Sequence, residues 1–475
     1  MIRHLQPTML GFGLFWAWVF IFFNFQPSNT WSFFGADATL WAHFTSLIAT
    51  IPVYLIATFA HRLARRLLDN RSFCLVMVIL MASGTLVFSS LGLVNYPLLQ
   101  LAGAFLTGLT SPCLLLLWGE QYGKLGTRVL IIYTTLSFLL AAVLHLVISS
   151  LPPFVTAIAV TAIPLLSLLM LRIHHSVVDA GEQGDQDRRN FNIEELKASL
   201  PPRILIGFLV VMFIYGGAVS LHNINGSNGI EQLITDVTSL LVVAIGALSI
   251  GLFTSRQVLS LGVGFRLSLL LIAALFIPLA LLDRSFTPLS SFFASAGSNA
   301  IEILSWILLA YIAAGSRIPI FTIFAACNTV FHIGMAAGEL SGILMADHVL
   351  LFSILAICAL VALSGFAFID RDTTILLQPP NANELSQIIR KSGVMESSVA
   401  GIAKEFGLSE REREVFELWS VGYGAKAIEK KLFISPSTIK THIQHIYEKC
   451  DVHSRMEIIA LLERYSSDNE RRTSH

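Results

Sequence analysis

From residue 8 to residue 369 the chain repeats one pattern: an apolar run of about twenty residues, a short polar break, then another apolar run. A helix of that length crosses the roughly 30 Å hydrocarbon core of a bilayer, so each run predicts a spanning helix. The pattern predicts twelve, at 8–26, 38–60, 72–93, 96–118, 129–150, 154–171, 204–221, 236–254, 267–283, 289–313, 318–345 and 349–369. After Asp370 the pattern changes. Residues 371–407 read as a linker that begins polar and carries short helical periodicity in ELSQIIRK and SSVAGIAKEF, 408–465 carry dense helical periodicity, and 466–475 form a polar tail. The predicted fold is all-α, a polytopic membrane body followed by a small four-helix domain.

The breakers divide that small domain. Ser409 with Glu412 three residues on is a capping box, and Val415, Leu418 and Trp419 form the first apolar face. Gly422 and Gly424 end this helix, and a second, 425–432, presents Ile428 and Leu432. Ser435-Pro436 is a cap and first-turn pair that starts a third helix with Ile439, Ile443 and Ile446 inward. A fourth follows from His453-Ser454, with Ile458, Leu461 and Leu462 inward.

Basic residues orient the membrane part. With the N-terminus in the cytoplasm, the inside loops hold Arg62, Arg65, Arg66, Arg71, Lys124, Arg128, Arg172, Arg188, Arg189, Lys197, Arg203, Arg256, Arg266 and Arg317; the outside loops hold Arg284. An even number of spans returns the C-terminus to the same side. The expected location is the bacterial inner membrane, with both termini and the small domain cytoplasmic. The longest inside loop, 172–203, divides the body 1–370 into halves of six spans, 1–171 and 204–370.

Composition narrows the function class. With 55% hydrophobic and 13% charged residues, and a mean hydropathy of +0.71, this is no ordinary soluble enzyme. No phosphate loop, metal-ligand cluster or nucleophile–base arrangement is present, so neither catalysis nor a cofactor is expected. The five cysteines lack metal-ligand spacing and read as small apolar core residues. The first apolar run lacks a small-residue cleavage site, which argues against a cleaved signal peptide.

Polar groups within spans are costly in a bilayer and mark candidate sites. Glu302 falls mid-span with Asn299 one turn earlier, and Glu339 lies beside Gly338, Ser341 and Gly342, two turns after His332. Two readings stay open: a ligand or proton site around Asn299, Glu302, His332 and Glu339, or carboxyl groups that only fix helix packing. His43, His145 and Asn24 are weaker counterparts in the first half. Trp16, Trp18, Phe20, Phe22 and Phe23 are expected to face lipid or the core rather than to form a ligand cage.

The six-plus-six organisation, with a basic loop after the second span of each half, resembles the major facilitator superfamily over about 370 residues, in topology rather than in motifs. The segment 408–465 closely resembles the LuxR/NarL (GerE-like) helix-turn-helix family. The matching elements are LSEREREV, Gly422, Lys426, Ile428, ISPSTIKTHIQHIYEK, Val452 and Arg455. The family's Leu-Gly before the valine is here Cys450-Asp451. The resemblance implies that the third helix reads the major groove, with contacts at Lys440, Thr441 and Gln444, and Thr438, His445 and Lys426 nearby. Amides at the helix start by Ser435 suit a phosphate. Nine Lys/Arg against nine Asp/Glu in 408–465 predict weak non-specific affinity, and one small module needs a dimer on two half-sites.

The expected function is that of a one-component transcription regulator. Its membrane body senses a small molecule or membrane state and controls a cytoplasmic reader of promoter DNA. The alternative is a major-facilitator-like transporter with a regulatory DNA-binding tail.

Overall fold

Each apolar run forms a helix, because within lipid every backbone N–H and C=O must be bonded inside its own segment. The computed structural model describes residues 6–24, 32–33, 36–90, 96–178, 193–225, 229–254, 258–281, 287–316, 318–369, 373–376, 394–420, 428, 432, 434–452, 458 and 461. The chain divides into two compact units, Met1–Leu377 and Gln378–His475.

In the first unit the helices are α1 Gly11–Asn24, α2 Ala38–Phe59, α3 His61–Asp69, α4 Arg71–Ser90, α5 Pro97–Tyr122, α6 Thr127–Ser149, α7 Pro153–Val178, α8 Ile193–Ser199, α9 Pro202–Asn225, α10 Gly229–Phe253, α11 Leu261–Leu281, α12 Thr287–Gly315, α13 Ile320–Leu344 and α14 Val349–Phe366. The twelve expected spans correspond to α1, α2, α4–α7 and α9–α14. Among the described residues ten are long and apolar enough to cross a bilayer, and two apolar stretches are shorter, Pro7–Phe23 and Leu261–Ala274. This is a multi-pass membrane body. The all-α expectation holds except for two antiparallel pairs in connecting segments. They are β1 Ser32–Phe33 with β2 Ala36–Asp37, and β3 Val258–Ser260 with β4 Thr374–Leu376.

The packing repeats. In the first half α1 lies against α6 and α7, α2 against α5, and α4 against α5 and α7. Six spans later α9 lies against α13 and α14, α10 against α12, and α11 against α12 and α14. The contacts between halves, α2 with α13 and α6 with α10, are interchanged by the same operation. Two six-helix repeats related by a pseudo-two-fold axis account for every one of these pairs.

Small residues and internal hydrogen bonds hold the spans, since lipid supplies no hydrophobic drive between helices. Along α9 and α13 the backbones approach so closely that a Cβ on Gly338 would overlap the carbonyl oxygen of Phe213. Polar side chains close on one another: Trp18 Nε1 donates to Thr85 Oγ1 at 2.9 Å, and Trp118 Nε1 to Ser167 Oγ at 3.0 Å. Four cysteines are buried as expected, whereas Cys358 is exposed on α14, a helix whose outward side is apolar.

The connections on the basic side are tied together. Arg65 Nη1 donates to Glu120 Oε1 at 2.5 Å, Arg172 Nη2 to the Arg71 carbonyl at 2.7 Å, and Arg128 Nη2 to the Thr254 carbonyl at 2.9 Å. Gln6 N donates to Tyr133 Oη, and β4, just past α14, pairs with β3 between α10 and α11. The start of the body is thus tied to α6 and its last strand to the α10–α11 connection. Arg188, Arg189, Arg256, Arg284 and Arg317 lie outside the described residues.

In the second unit the described helices are α15 Val394–Glu405, α16 Glu410–Ser420 and α17 Pro436–Cys450. Ile428, Leu432, Ile458 and Leu461 are helical as well. Gly422, Gly424 and Leu462 lie outside the described residues. The core gathers Val415, Phe416, Ile428, Ile439, Ile446 and Ile458, with Ile443 partly buried beside them. One difference concerns the linker expected at 371–407: Val399 and Ile402 of α15 are buried in this same core. The compact module thus extends upstream of Leu408, because an apolar face too short to stand alone is stabilised by closing that core.

Candidate ligand cavity and nucleic-acid interface

Helices of both halves line a partly open cavity of about 630 Å³, within the size range of small-molecule sites. The α12 side is built by helical spacing: Ser295, Asn299 and Glu302 recur at four and three residues and share one face. Opposite them α10 presents Gln232, Asp236 and Ser239 at the same spacing. The two rows interlock. Ser295 Oγ and Gln232 Nε2 donate to Asp236 Oδ1 at 2.8 and 2.9 Å, and Asn299 Nδ2 donates to Ser239 Oγ at 3.2 Å.

The expected sensing residues divide. Asn299, Glu302 and His332 all line the cavity, and His332 Nδ1 bonds the Asn328 carbonyl at 2.7 Å. Glu339 is not on the wall. It is fully buried where α13 meets α2, and its Oε1 pairs with Nδ1 of His43, which does line the cavity. His145 lines the wall too, while the side chain of Asn24 lies outside the description. The aromatic group of α1 does not face lipid: Trp16, Trp18, Phe20 and Phe23 line the cavity, and Phe22 is buried against Trp18. Of the two expected surroundings, lipid or core, Trp16, Trp18 and Phe22 take the core, and packing of α1 against α6 and α7 also turns Trp16, Trp18, Phe20 and Phe23 to the cavity.

Asp236 is the residue that sequence reading passed over, because it sits where an apolar run begins. The stripe Gln232, Asp236, Ser239 at helical spacing was the available signal.

The second unit presents α17. Ser435 Oγ caps it, accepting from the Thr438 N–H at 3.2 Å and bonding Thr438 Oγ1 at 2.8 Å. Ile439 and Ile446 are buried, so Lys440, Thr441 and Gln444 fall on the opposite, exposed face. Thr441 Oγ1 donates to the Ser437 carbonyl and Gln444 Nε2 to Glu448 Oε1. His445 is half-exposed, with Nδ1 3.6 Å from Glu412 Oε1. Lys426 lies outside the described residues. The turn after α17 uses Asp451 in the left-handed region at φ 52°, and the Val452 N–H bonds the Tyr447 carbonyl. Aspartate tolerates this conformation better than most residues, which is how Cys450-Asp451 serves where the family has Leu-Gly.

The capping box forms as expected: Ser409 N donates to Glu412 Oε2 at 2.7 Å, and Glu412 N to Ser409 Oγ at 3.3 Å. Lys449 Nζ, from α17, donates to the same Glu412 oxygen at 2.7 Å. Burial alone would raise the Glu412 carboxyl, but Lys449 and Ser409 outweigh it and hold the pKa at about 2. The sign follows from linkage: a depressed carboxylate stabilises the fold above its usual pKa, and that contribution fades as pH falls toward the folded value. The module is expected to keep full stability above about pH 4.5 and lose it progressively toward about 2. Glu412→Gln should flatten that acid limb and lower neutral-pH stability by about 1–2 kcal/mol. Thermal unfolding of both proteins across this pH range checks it.

Residues 407–462 match the family described as bacterial regulatory proteins, luxR family. The C-terminal module is a LuxR-family helix-turn-helix domain. It is similar to the probable transcriptional regulatory protein NarL of Mycobacterium tuberculosis, 40% identical over 76 residues, 14% of this chain and 35% of that protein. It is also similar to the oxygen regulatory protein NreC of Staphylococcus haemolyticus, 44% identical over 52 residues, 11% of this chain and 24% of that protein. The chain thus spans about a third or less of the length of these relatives. This likeness describes the module alone. The membrane body is similar to the human organic anion transporter MFSD10, at 12% identity and a TM-score of 0.50, over 75% of this chain and 97% of that one. That likeness shows a major-facilitator-like fold for the body, and the fold alone.

Proposed function

We propose that this protein is a membrane-bound one-component regulator, in which a small molecule in the cavity of the body controls promoter binding by the LuxR-type module. One observation carries the reading. The helix α10, which lines the cavity through Asp236, ends five residues before β3, and β3 holds β4, the last described element of the body before the module. A shift of α10 between two packings therefore acts on the strand from which the chain to the module departs. The ligand moves the equilibrium only by its differential affinity for the two packings.

The body is set in the bacterial inner membrane with its basic loops, both termini and the module in the cytoplasm. Support comes from the basic residues and from the ties among their loops. Reporter fusions placed after Ile369 are expected to be active for a cytoplasmic enzyme and silent for one that requires export. The opposite pattern would reverse the topology.

The module binds double-stranded DNA as a homodimer, with α17 in the major groove. Lys440, Thr441 and Gln444 contact bases, Thr438, His445 and Lys426 lie at the edge of the interface, and the helix start at Ser435 meets a phosphate. For DNA selected from a random library, Gln444→Ala is expected to relax base preference at one position. Lys440→Ala is expected to weaken binding by about 1–3 kcal/mol, uniformly if it meets phosphate and base-selectively if it meets guanine. Gel-shift titration at fixed salt measures both, and parental binding by both variants would reject α17 as the reading helix.

The proposal is tested with the full chain in cells, coupled to a reporter of its selected DNA site. Small molecules are screened for a change in output that is lost when the body is deleted. Accumulation of the same molecule in sealed vesicles carrying the chain would instead support transport with a regulatory tail.

A further inference from the structure

The wall of the cavity is unbalanced in charge. Among the described residues it carries the carboxyl groups of Asp236 and Glu302 and no Lys or Arg. Of its three histidines, His43 is engaged by Glu339, His332 Nδ1 by the Asn328 carbonyl, and His145 is buried with its ring stacked on Phe20. Asp236 is bonded on one oxygen by Ser295 and Gln232, neutral donors that orient a carboxylate without cancelling its charge. A carboxyl group shielded from bulk water either keeps its proton or gains a counter-charge, and the described wall holds no Lys or Arg to supply one.

The remainder of the wall suits a cation with an apolar body. Trp16, Phe20, Phe23, Tyr54, Tyr215 and Phe331 line the same cavity, and ring faces attract cations through their quadrupoles. Two buried groups of lining residues, the Trp16 indole N–H and His145 Nε2, have no hydrogen-bond partner among the described residues. At about 630 Å³ the space exceeds what a bare metal ion or a single water would need and fits a small organic molecule.

We infer that the cavity binds an organic monocation, an aromatic or aliphatic ammonium compound, with its charge between Asp236 of α10 and Glu302 of α12 and its apolar part against the aromatic wall. The inference rests on the sensor reading of the cavity and specifies its ligand class. An anion would meet two carboxyl groups and no fixed positive charge, and a neutral ligand would leave both without a counter-ion. Because the two acids sit on adjacent helices, a cation between them draws α10 toward α12, and α10 is the helix that continues into β3.

The test uses the full-length chain in nanodiscs and three probes of similar size. They are benzyltrimethylammonium, whose charge does not depend on pH, the near-isosteric neutral alcohol dimethyl benzyl carbinol, and phenylacetate. Calorimetry is expected to find the cation bound at least about tenfold more tightly than the alcohol, and phenylacetate not bound. Asp236→Asn and Glu302→Gln should each weaken the cation about tenfold or more, with the thermal unfolding of the unliganded protein unchanged. Trp16→Leu should weaken it less.

Equal binding of the alcohol or the anion, no binding of the cation at millimolar concentration, or parental affinity in both acid variants would overturn the cation site. The reporter separates this from the sensor reading. If phenylacetate or the alcohol drives reporter output through the body while the cation does not, the sensor stands and the cation site falls. If calorimetry gives the expected pattern and saturating cation leaves the reporter unmoved, the cation site stands and the sensor falls.

Discussion

Gly338→Val is expected to deprive the membrane body of its folded state, while Gly246→Ala leaves it intact. At Gly338 a Cβ would overlap the carbonyl oxygen of Phe213 and crowd the backbone carbon behind it. No rotamer change relieves a clash with main chain, so α13 would have to move off α9 along its length. Gly342 is seated in the same way, with a Cβ position 2.6 Å from the Gly217 carbonyl oxygen. Separating two closely packed helices forfeits their van der Waals contact, the main force between helices in lipid. The expected destabilisation is about 3 kcal/mol or more, at the upper end for overpacking. Gly246 has nothing within 4 Å of its Cβ position, so alanine there should be neutral or slightly stabilising through helix propensity. Yield of monodisperse protein in detergent and its thermal unfolding measure both variants. Parental yield and melting of Gly338→Val would refute the close approach of α9 and α13.

The second large effect separates two carboxyl groups that look equivalent in sequence. Glu339→Ala is expected to lower membrane abundance, and Glu302→Gln to abolish the response to ligand at normal abundance. Glu339 is fully buried and engaged by His43 across α13 and α2, a contact between the two halves. Removing one member of such a pair leaves the other unsatisfied, at a cost of about 3–5 kcal/mol when the pair is charged. Glu302 lines the cavity, where a neutral amide of the same shape keeps the packing and removes the charge. Immunoblot abundance and reporter response, measured together, distinguish the roles. Normal abundance of Glu339→Ala would remove its packing role, and a parental response in Glu302→Gln would remove the cavity as the input site.

The apolar runs were legible because bilayer thickness imposes a length and because backbone bonding in lipid permits little besides helix. The helix-turn-helix was legible for a different reason: its caps, breakers and inward residues are local, and Ser409, Glu412 and Ser435 perform in the structure the capping that their spacing announces. Where information was not local, the sequence misled or stayed silent. Hydropathy could not tell whether Trp16 and Trp18 face lipid or a cavity, since both surroundings are apolar. Asp236 looked like the edge of a span, although Gln232 and Ser295 hold it inside one. The helical periodicity of SSVAGIAKEF marks the helix that holds Val399 and Ile402, but not that this helix closes the module core instead of lying in a linker.

Local patterns along the chain specify the kinds of element and their order: twelve apolar helices in two sets of six, then a LuxR-type helix-turn-helix. These follow from periodicity, length and capping, which act over a few residues at a time. Which polar residues meet depends on how the helices pack in space. That packing set Asn299, Glu302 and His332 on one cavity wall with Asp236, withdrew Glu339 to His43, and joined β3 to β4. Those pairings link residues up to 296 positions apart. They depend on how repeated helices pack against one another, and no local pattern in the chain encodes that distance.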